Sequence, residues 1–161
     1  MERFKTAVQQ GDAAGLRTLL TARPELRTAI DRQVFETAPA IVFWRHNRAM
    51  VDVLLEFGAD INTRSQFWGR TVGVLDDNTP EMRAYLIERG ALPEIGEFVG
   101  AVKARDAAKV RTLLTNTPAL RRHVDRPLFH FGSQAIINAK NNREIVDTLL
   151  EFGANINARS D

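Results

Sequence analysis

The sequence of 161 residues contains no cysteine, and this absence excludes several kinds of protein chemistry. Without thiols, the chain has no disulfide framework, no thiolate nucleophile and no cysteine-ligated metal site. No apolar run approaches the roughly 20 residues that a membrane-spanning helix needs. Residues 1–5 lack the apolar core of a signal peptide. We therefore expect no membrane partner and predict a cytoplasmic location.

Motifs that support catalysis are missing as well. The three histidines, His46, His123 and His130, show no paired metal-binding spacing, and there is no glycine-rich phosphate loop or nucleophile elbow. Asp125 lies near His130, but Asp31 occupies the equivalent place earlier in the chain with no histidine after it. We interpret this aspartate as a turn residue. The sequence therefore predicts no catalytic residue, no metal, no cofactor and no enzymatic activity.

Strong charge of one sign is also lacking, since the net charge is only +2. Residues 100–126 carry seven basic and two acidic side chains, and residues 52–98 carry nine acidic and four basic ones. Nucleic-acid binding needs basic groups gathered on one surface, whereas these are spread over a predicted helix pair and its loop. We interpret the basic segment as a solvated face, with an electrostatically complementary protein as the alternative. No nucleic-acid partner is expected.

What the sequence does contain is repetition. Residues 50–65 return as residues 145–160, and from Leu54 onward the two copies agree at ten of twelve positions. Val51, Leu54 and Leu55 follow the spacing i, i+3, i+4, which places them on one face of a helix. Gly58 supplies a residue that readily adopts the left-handed conformation with which helices end. A helix that buries one stripe and recurs along the chain needs a neighbouring copy to pack against.

Five units align on the aliphatic pair of this helix, with a mean period near 33 residues. We name this helix the outer helix of each unit. Each outer helix is predicted to begin at a side chain that accepts hydrogen bonds from its first turn: Asp12, Asn47, Thr79, Asp106 and Asn142. Units two, three and five end theirs at Gly58, Gly90 and Gly153, and units one and four end theirs before Pro24 and Pro118.

A shorter apolar segment precedes each cap, and we predict an inner helix of about eight residues there, each forming a helix-turn-helix with its outer partner. These segments are Phe4–Val8, Ala40–Trp44, Val72–Leu75, Phe98–Val102 and Ala135–Ala139. A longer period is also present, because Asp12–Leu20 reappears as Asp106–Leu114 with seven of nine residues identical. The chain therefore resembles a three-unit block, ending near residue 94, followed by two units of a second block.

The period near 33, the paired helices and the outer helices ending Leu-Leu-Glu-Phe-Gly-Ala-Asp-Ile-Asn together resemble the ankyrin repeat family. The resemblance implies an all-α solenoid of five helix-turn-helix repeats in a single domain, with units of about 1–31, 32–63, 64–93, 94–125 and 126–161. It also implies projecting finger loops, a concave face formed by those loops and the inner helices, and a binding function without chemistry. Where the family usually has Thr-Pro-Leu-His, this chain has Thr37-Ala-Pro-Ala40 and Gly132-Ser-Gln-Ala135.

Aromatic residues provide the candidate binding site. Phe57 and Phe152 match one another between units, as do Phe35 and Phe129, and matched positions indicate packing. Trp44 has no such match, since its equivalents are mostly polar; it is either a contact residue on the concave face or the cover of a local gap. We predict that an unidentified protein partner is bound through one set of residues: Trp44, Arg45, Phe67, Trp68, Arg70, His130 and Phe131.

The last repeat raises a separate expectation. Its outer helix keeps the apolar stripe of Ile145, Val146, Leu149 and Leu150, and nothing after it has the polar outer face of a terminal repeat. We expect a sixth repeat in a longer native chain, with self-association through this surface as the alternative. The alternative function is a structural or regulatory scaffold segment of a larger polypeptide with no autonomous partner.

Overall fold

The computed structural model describes residues 2–35, 38–66 and 70–159, and the fold is mostly helical, as predicted. The described α-helices are α1 Glu2–Gln10, α2 Ala13–Ala22, α3 Ala40–Phe43, α4 Arg48–Glu56, α5 Pro80–Glu88, α6 Pro93–Lys103, α7 Ala107–Asn116, α8 Ala135–Asn138 and α9 Arg143–Glu151. Three 3₁₀ helices lie at Pro24–Ala29, Pro118–His123 and His130–Gly132. Strands β1 (Gln33–Phe35) and β2 (Ala38–Pro39) form one short antiparallel pair. Within the described ranges, no helix is both long and apolar enough to cross a membrane.

All five predicted caps are confirmed. The side chains of Asp12, Asn47, Thr79, Asp106 and Asn142 each accept a hydrogen bond from the backbone N–H three residues further on. Each bond satisfies one of the N–H groups that the first helical turn leaves without a partner, and such a cap contributes about 0.5–2 kcal/mol. Because the interaction spans three residues only, it was predictable from the local sequence.

The predicted helix ends are confirmed too. Gly58, Gly90 and Gly153 adopt φ angles of 92°, 100° and 93°, and the residue after each donates its N–H back to the helix it ends. Helices α2 and α7 end before Pro24 and Pro118, and a 3₁₀ helix follows directly in both places. The sequence did not predict these two 3₁₀ helices.

The inner helices differ from the prediction. Helices α1 and α6 are 9 and 11 residues long, but α3 and α8 have only 4 each, and no helix forms at Val72–Leu75. At Val72–Leu75 the Asp76 carboxylate accepts a hydrogen bond from Gly73 N at 2.8 Å, and the φ angle of Asp77 is 52°. Short carboxylate side chains that bond to their own backbone compete with helix formation. The predicted helix at Val72–Leu75 is therefore wrong.

The chain forms two compact units, the first comprising residues 1–65 and 72–91 and the second comprising residues 66–71 and 92–161. The boundary at Ala91 lies close to residue 94, where the sequence repeat changes block. In the first unit α1 packs on α2, α2 on α4 and α3 on α4; in the second, α6 packs on α7, α7 on α9, and α8 on both α6 and α9. Each unit has its own buried core, centred on Leu20, Met50, Leu54 and Leu86 in the first and on Phe98, Leu114, Phe129 and Leu149 in the second.

The repetition extends to side-chain contacts. Arg17 pairs with Glu56 at 2.7 Å in the first unit, and Arg111 pairs with Glu151 at 2.8 Å in the second. The hydrogen bond from Arg111 lowers the pKa of the Glu151 carboxyl. These pairs are exposed, so their contribution to stability is small and weakens with salt. They show that the outer helices of neighbouring repeats meet in the same register in both units.

Two further contacts follow the same pattern. The Asp31 carboxylate accepts from Asp60 N, and the Asp125 carboxylate accepts from Asn155 N, both at 2.9 Å. This confirms the interpretation of the aspartate near His130 as a turn residue. Phe152, which we assigned to packing, is half-buried beneath the guanidinium of Arg121, which lies 5.0 Å from the ring centroid.

Packing of the outer-helix stripe gives the first testable prediction. Leu54 is fully buried and its neighbour Leu55 only partly so. We expect Leu54→Ala to lower the free energy of unfolding by about 2–5 kcal/mol, because it leaves a cavity in a packed core. Leu55→Ala, the matched control, should cost distinctly less in the same urea unfolding experiment. Equal losses would contradict the assignment of the buried face.

Candidate protein-interaction site

The 3₁₀ helix at His130–Gly132 forms a tight loop that presents two of the predicted contact residues. Phe129, just before it, is fully buried and donates its N–H to Ser133 O at 3.2 Å. Ser133 closes the turn, because both its N–H and its hydroxyl donate to His130 O, at 3.2 and 2.8 Å. The loop is held in place on one side by the buried ring of Phe129 and on the other by Ser133, which donates two hydrogen bonds to His130 O. The tip of the loop lies between these two residues.

Phe131 occupies that tip in an unusual conformation. Its φ angle is 53°, in the left-handed region that bulky residues rarely adopt, and its side chain is 54% exposed. Its N–H donates to Gln66 O at 3.3 Å, and its ring meets His130 edge-on with centroids 5.4 Å apart. A strained backbone of this kind costs on the order of 1–3 kcal/mol and is found most often at functional sites. The loop therefore holds an aromatic side chain towards solvent at a cost in stability.

A shallow groove lies beside this tip, lined by His130, Phe131, Ser133, Ile137, Asn138 and Lys140. Asn138, which is half-buried, donates to Ser133 Oγ at 2.8 Å and to Gln134 O at 3.0 Å. Half-buried Ile137 offers an apolar contact, and exposed Lys140 offers a positive charge at the rim. Such a groove suits an apolar or aromatic side chain of a partner with a carbonyl or carboxylate next to it.

In the first unit, Trp44 makes extensive contacts within the protein. Its indole N–H donates to Val8 O at 2.7 Å, and its ring lies so close to Gly11 that a Cβ there would be 2.7 Å from the ring. Phe43 meets the ring edge-on, with centroids 5.2 Å apart, and is itself 44% exposed. These contacts favour the alternative interpretation, in which Trp44 covers a local gap. Its role as a contact residue stays a prediction.

The remaining predicted contact residues lie in different surroundings. Arg45 is half-buried and donates to Asp76 O and to Val42 O, both at 3.0 Å, so its guanidinium ties α3 to the turn before α5. Phe67 and Trp68 lie outside the described residues. Arg70 is exposed and belongs, with His130 and Phe131, to the second unit, whereas Trp44 and Arg45 belong to the first.

Sequence reasoning missed a cluster around Tyr85 on α5. Its hydroxyl donates to the carboxylate of Asp52 on α4, and the guanidinium groups of Arg48 and Arg89 lie 4.6 and 3.4 Å from its ring centroid. Burial, together with the hydrogen bond to Asp52, raises the pKa of the Tyr85 hydroxyl. The i, i+4 spacing of Arg48 and Asp52, and its recurrence in the last repeat, were the signals that could have found it.

The sequence also missed a partly buried ion pair and an exposed aromatic. Arg64 is only 7% exposed and pairs with Asp76 at 2.8 Å, which helps to close the loop between α4 and α5. Phe43 belongs to a predicted inner helix, and the structure leaves it 44% exposed. Among the described residues, no three His, Asp or Glu side chains are placed to hold a metal ion together.

The contact of Trp44 with Val8 gives the second prediction. We expect Trp44→Phe to lower the free energy of unfolding by about 1 kcal/mol, because it removes the bond to the Val8 carbonyl oxygen. Phe43→Leu, at the exposed neighbouring position, should change it by less than about 0.5 kcal/mol. Urea unfolding followed by circular dichroism measures both. A neutral Trp44→Phe would contradict the structural role and return Trp44 to the candidate contacts.

Comparison with known proteins agrees with the geometry of the last helix pair. Residues 134–161 match the family model described as Ankyrin repeat. No curated protein and no solved structure matches the chain. The matched segment contains α9 and its glycine-ended turn, which carry the outer-helix motif of the resemblance, together with α8. The chain therefore carries an ankyrin-like repeat at residues 134–161.

Proposed function

We propose that this chain is a protein-interaction module built as a solenoid of five ankyrin-like repeats, which binds a partner through its concave face and finger loops. The ankyrin repeat at residues 134–161 supports a protein-interaction role in general. The single observation that carries the finer proposal is Phe131, an aromatic side chain held outward by a loop with positive φ. The chain contains no cysteine, and the compartment compatible with this composition is the cytoplasm.

The chemistry of the loop indicates how a partner would be held. Aromatic side chains are common energetic centres of interfaces, because they bury a large area at a small cost in conformational entropy. Phe131 would supply that area, and its contacts with His130 and Gln66 reduce the freedom that it loses on binding. Lys140 at the rim of the groove favours an acidic or carbonyl-bearing partner segment.

A photo-crosslinking experiment tests this proposal. The full chain carries a photoreactive phenylalanine analogue at position 131, or at position 87 as a control, and crosslinked proteins from the native host are quantified by mass spectrometry. Ile87 is a suitable control because it is also exposed, at 42%, and lies in the first unit. We expect a defined protein to be crosslinked from position 131 and not from position 87.

A matched substitution pair then measures the contribution of the side chain. Phe131→Asn keeps a residue that tolerates positive φ, so the fold should be retained. We expect it to weaken binding of the crosslinked protein about tenfold or more, as for a central aromatic contact. Ile87→Ser should leave the affinity unchanged. If both variants bind as the unmodified chain does, the loop is not the contact; if no defined protein is crosslinked from position 131, the scaffold alternative is favoured.

A further inference from the structure

The basic segment at residues 100–126 contains two kinds of residue, which the internal repeat separates. Three of its seven basic side chains recur at the equivalent positions of the first unit, namely Arg111, Arg121 and Arg126. Arg111 pairs with a glutamate and Arg121 lies over a phenylalanine ring. Their counterparts Arg17 and Arg27 make the same two contacts in the first unit. The basic residues with these repeated contacts are therefore structural.

The remaining four basic residues occur in the second unit only, and they are Lys103, Arg105, Lys109 and Arg122. Their counterparts in the first unit are neutral, and they are Gln9, Gly11, Gly15 and Thr28. Lys103, Arg105 and Lys109 are exposed and lie where α6 ends and α7 begins. We name these three residues the basic turn. The fold does not require their charges, because α1 and α2 are joined by an equivalent turn without a basic residue.

The basic turn has the same backbone geometry as its neutral counterpart. Arg105 N donates to Val102 O and Gly11 N donates to Val8 O, both at 3.2 Å. The φ angles are 58° at Arg105 and 67° at Gly11. Both angles lie in the left-handed region, which glycine adopts readily and which strains a residue with a Cβ. The chain therefore keeps an arginine where a glycine would be more stable.

Side-chain packing permits this arginine in the second unit and excludes it in the first. A Cβ at Gly11 would lie 2.7 Å from the ring of Trp44. The residue equivalent to Trp44 is Ala139, which has no ring to fill that space. The exchange of tryptophan for alanine makes room for a side chain at position 105, but it gives no reason for a positive charge there.

Stability alone does not explain the arginine. Lys103 lies in the last turn of α6, where the helix dipole favours a positive charge. Lys109 Nζ is 3.8 Å from Glu97 Oε2, and both side chains are about half exposed, so this ion pair contributes little. At Arg105 the backbone strain acts against stability, and strained residues are found most often at functional sites. The arginine is therefore the residue of the basic turn that most needs a role in binding.

We propose that the basic turn binds an acidic segment of a protein partner. The planar guanidinium of Arg105 donates two parallel hydrogen bonds to one carboxylate of that segment, which a lysine cannot do. Lys103 and Lys109 attract further carboxylates of the same segment. None of these residues belongs to the predicted contact set around Phe131, so this proposal does not rest on the proposed function.

An acidic protein segment fits the basic turn better than a nucleic acid does. Nucleic acids bind to an extended basic surface, usually with aromatic side chains on which bases stack. Here Glu97 and Asp106 place carboxylates among the basic residues, and residues 99–116 include no aromatic residue. A short segment with separate carboxylates can pair with three positive charges without a continuous basic surface.

A peptide titration tests the proposal. The probe is fluorescein-labelled octaglutamate, which is titrated with the full chain at low and at physiological salt and followed by fluorescence anisotropy. Octaglutamine is the neutral control peptide. We expect saturable binding of octaglutamate only, and weaker binding at physiological salt, because salt screens the attraction between exposed charges.

Two substitutions at position 105 separate the charge from the strain. Arg105→Gly removes the charge and relieves the strain, whereas Arg105→Ala removes the charge and keeps a Cβ at positive φ. Both variants should bind octaglutamate about fivefold more weakly, because the bidentate contact is lost. Only Arg105→Gly should raise the midpoint of urea unfolding.

The matched control is Arg122→Ser. Arg122 is exposed, and its substitution changes the net charge by the same amount as the substitutions of Arg105 do. Arg105 precedes α7 and Arg122 follows it, and the 10 residues of this helix span about 15 Å. At physiological salt, Arg122→Ser should change the affinity for octaglutamate by less than about twofold, because charges beyond the screening length contribute little.

Four results would overturn the proposal. One is the lack of octaglutamate binding at low salt. Another is an equal loss of affinity in Arg105→Gly and Arg122→Ser, which would indicate attraction to the net charge. The third is an unchanged or lower urea midpoint in Arg105→Gly, because Arg105 would then not be held at a cost. The last is duplex DNA that binds more tightly than octaglutamate and is released by Arg105→Gly, since a nucleic acid would then occupy the basic turn.

Discussion

The constraint on which this structure depends is that its helices are too short to be stable alone. The described α-helices have 4 to 11 residues, and isolated helices shorter than about 12–15 residues are marginal in water. Each must therefore bury an apolar stripe against a neighbour, as α4 buries Met50 and Leu54 and α9 buries Ile145 and Leu149. Side-chain caps then define where each outer helix begins, and a left-handed glycine or a following proline defines where it ends, so that the apolar stripe faces the neighbour in register.

This constraint explains why the outer helices of residues 48–64 and 143–159 repeat their contacts on one side and not on the other. Contacts towards the preceding repeat recur almost atom for atom, as in the two aspartate turns and the two arginine–glutamate pairs. Contacts on the other side differ: in the first unit Asp52 accepts from the hydroxyl of Tyr85 and Asn62 donates to Gly90 O, whereas in the second Asp147 lies beside Arg143 of its own helix. Ile61 is accordingly 8% exposed in the first unit, and its equivalent Ile156 is 69% exposed in the second.

The candidate site follows a different physical principle. At Phe131 the chain accepts an unfavourable backbone conformation and leaves an aromatic ring in solvent, both of which lower stability. The surrounding bonds are strong enough to hold it, since Ser133 and Asn138 tie the loop to α8. Trp44 is the contrasting case, because its hydrogen bond and its contact with Gly11 make it part of the packing. Exposure and strain together, rather than aromatic character alone, separate a candidate contact from a structural aromatic.

The sequence by itself determined the features whose physics is local: the five caps, the glycine and proline helix ends and the buried faces of the outer helices. These depend on groups within a few residues of one another or on a strict helical period. Only the tertiary structure decided that Val72–Leu75 is not helical: the Asp76 carboxylate accepts from Gly73 N there, and Arg64, which meets Asp76 across a loop, holds the carboxylate in that place. It also decided that Trp44 is packed and that Ile156 is exposed while its twin Ile61 is buried. Burial depends on what lies against a residue, and identical local sequences can have different neighbours.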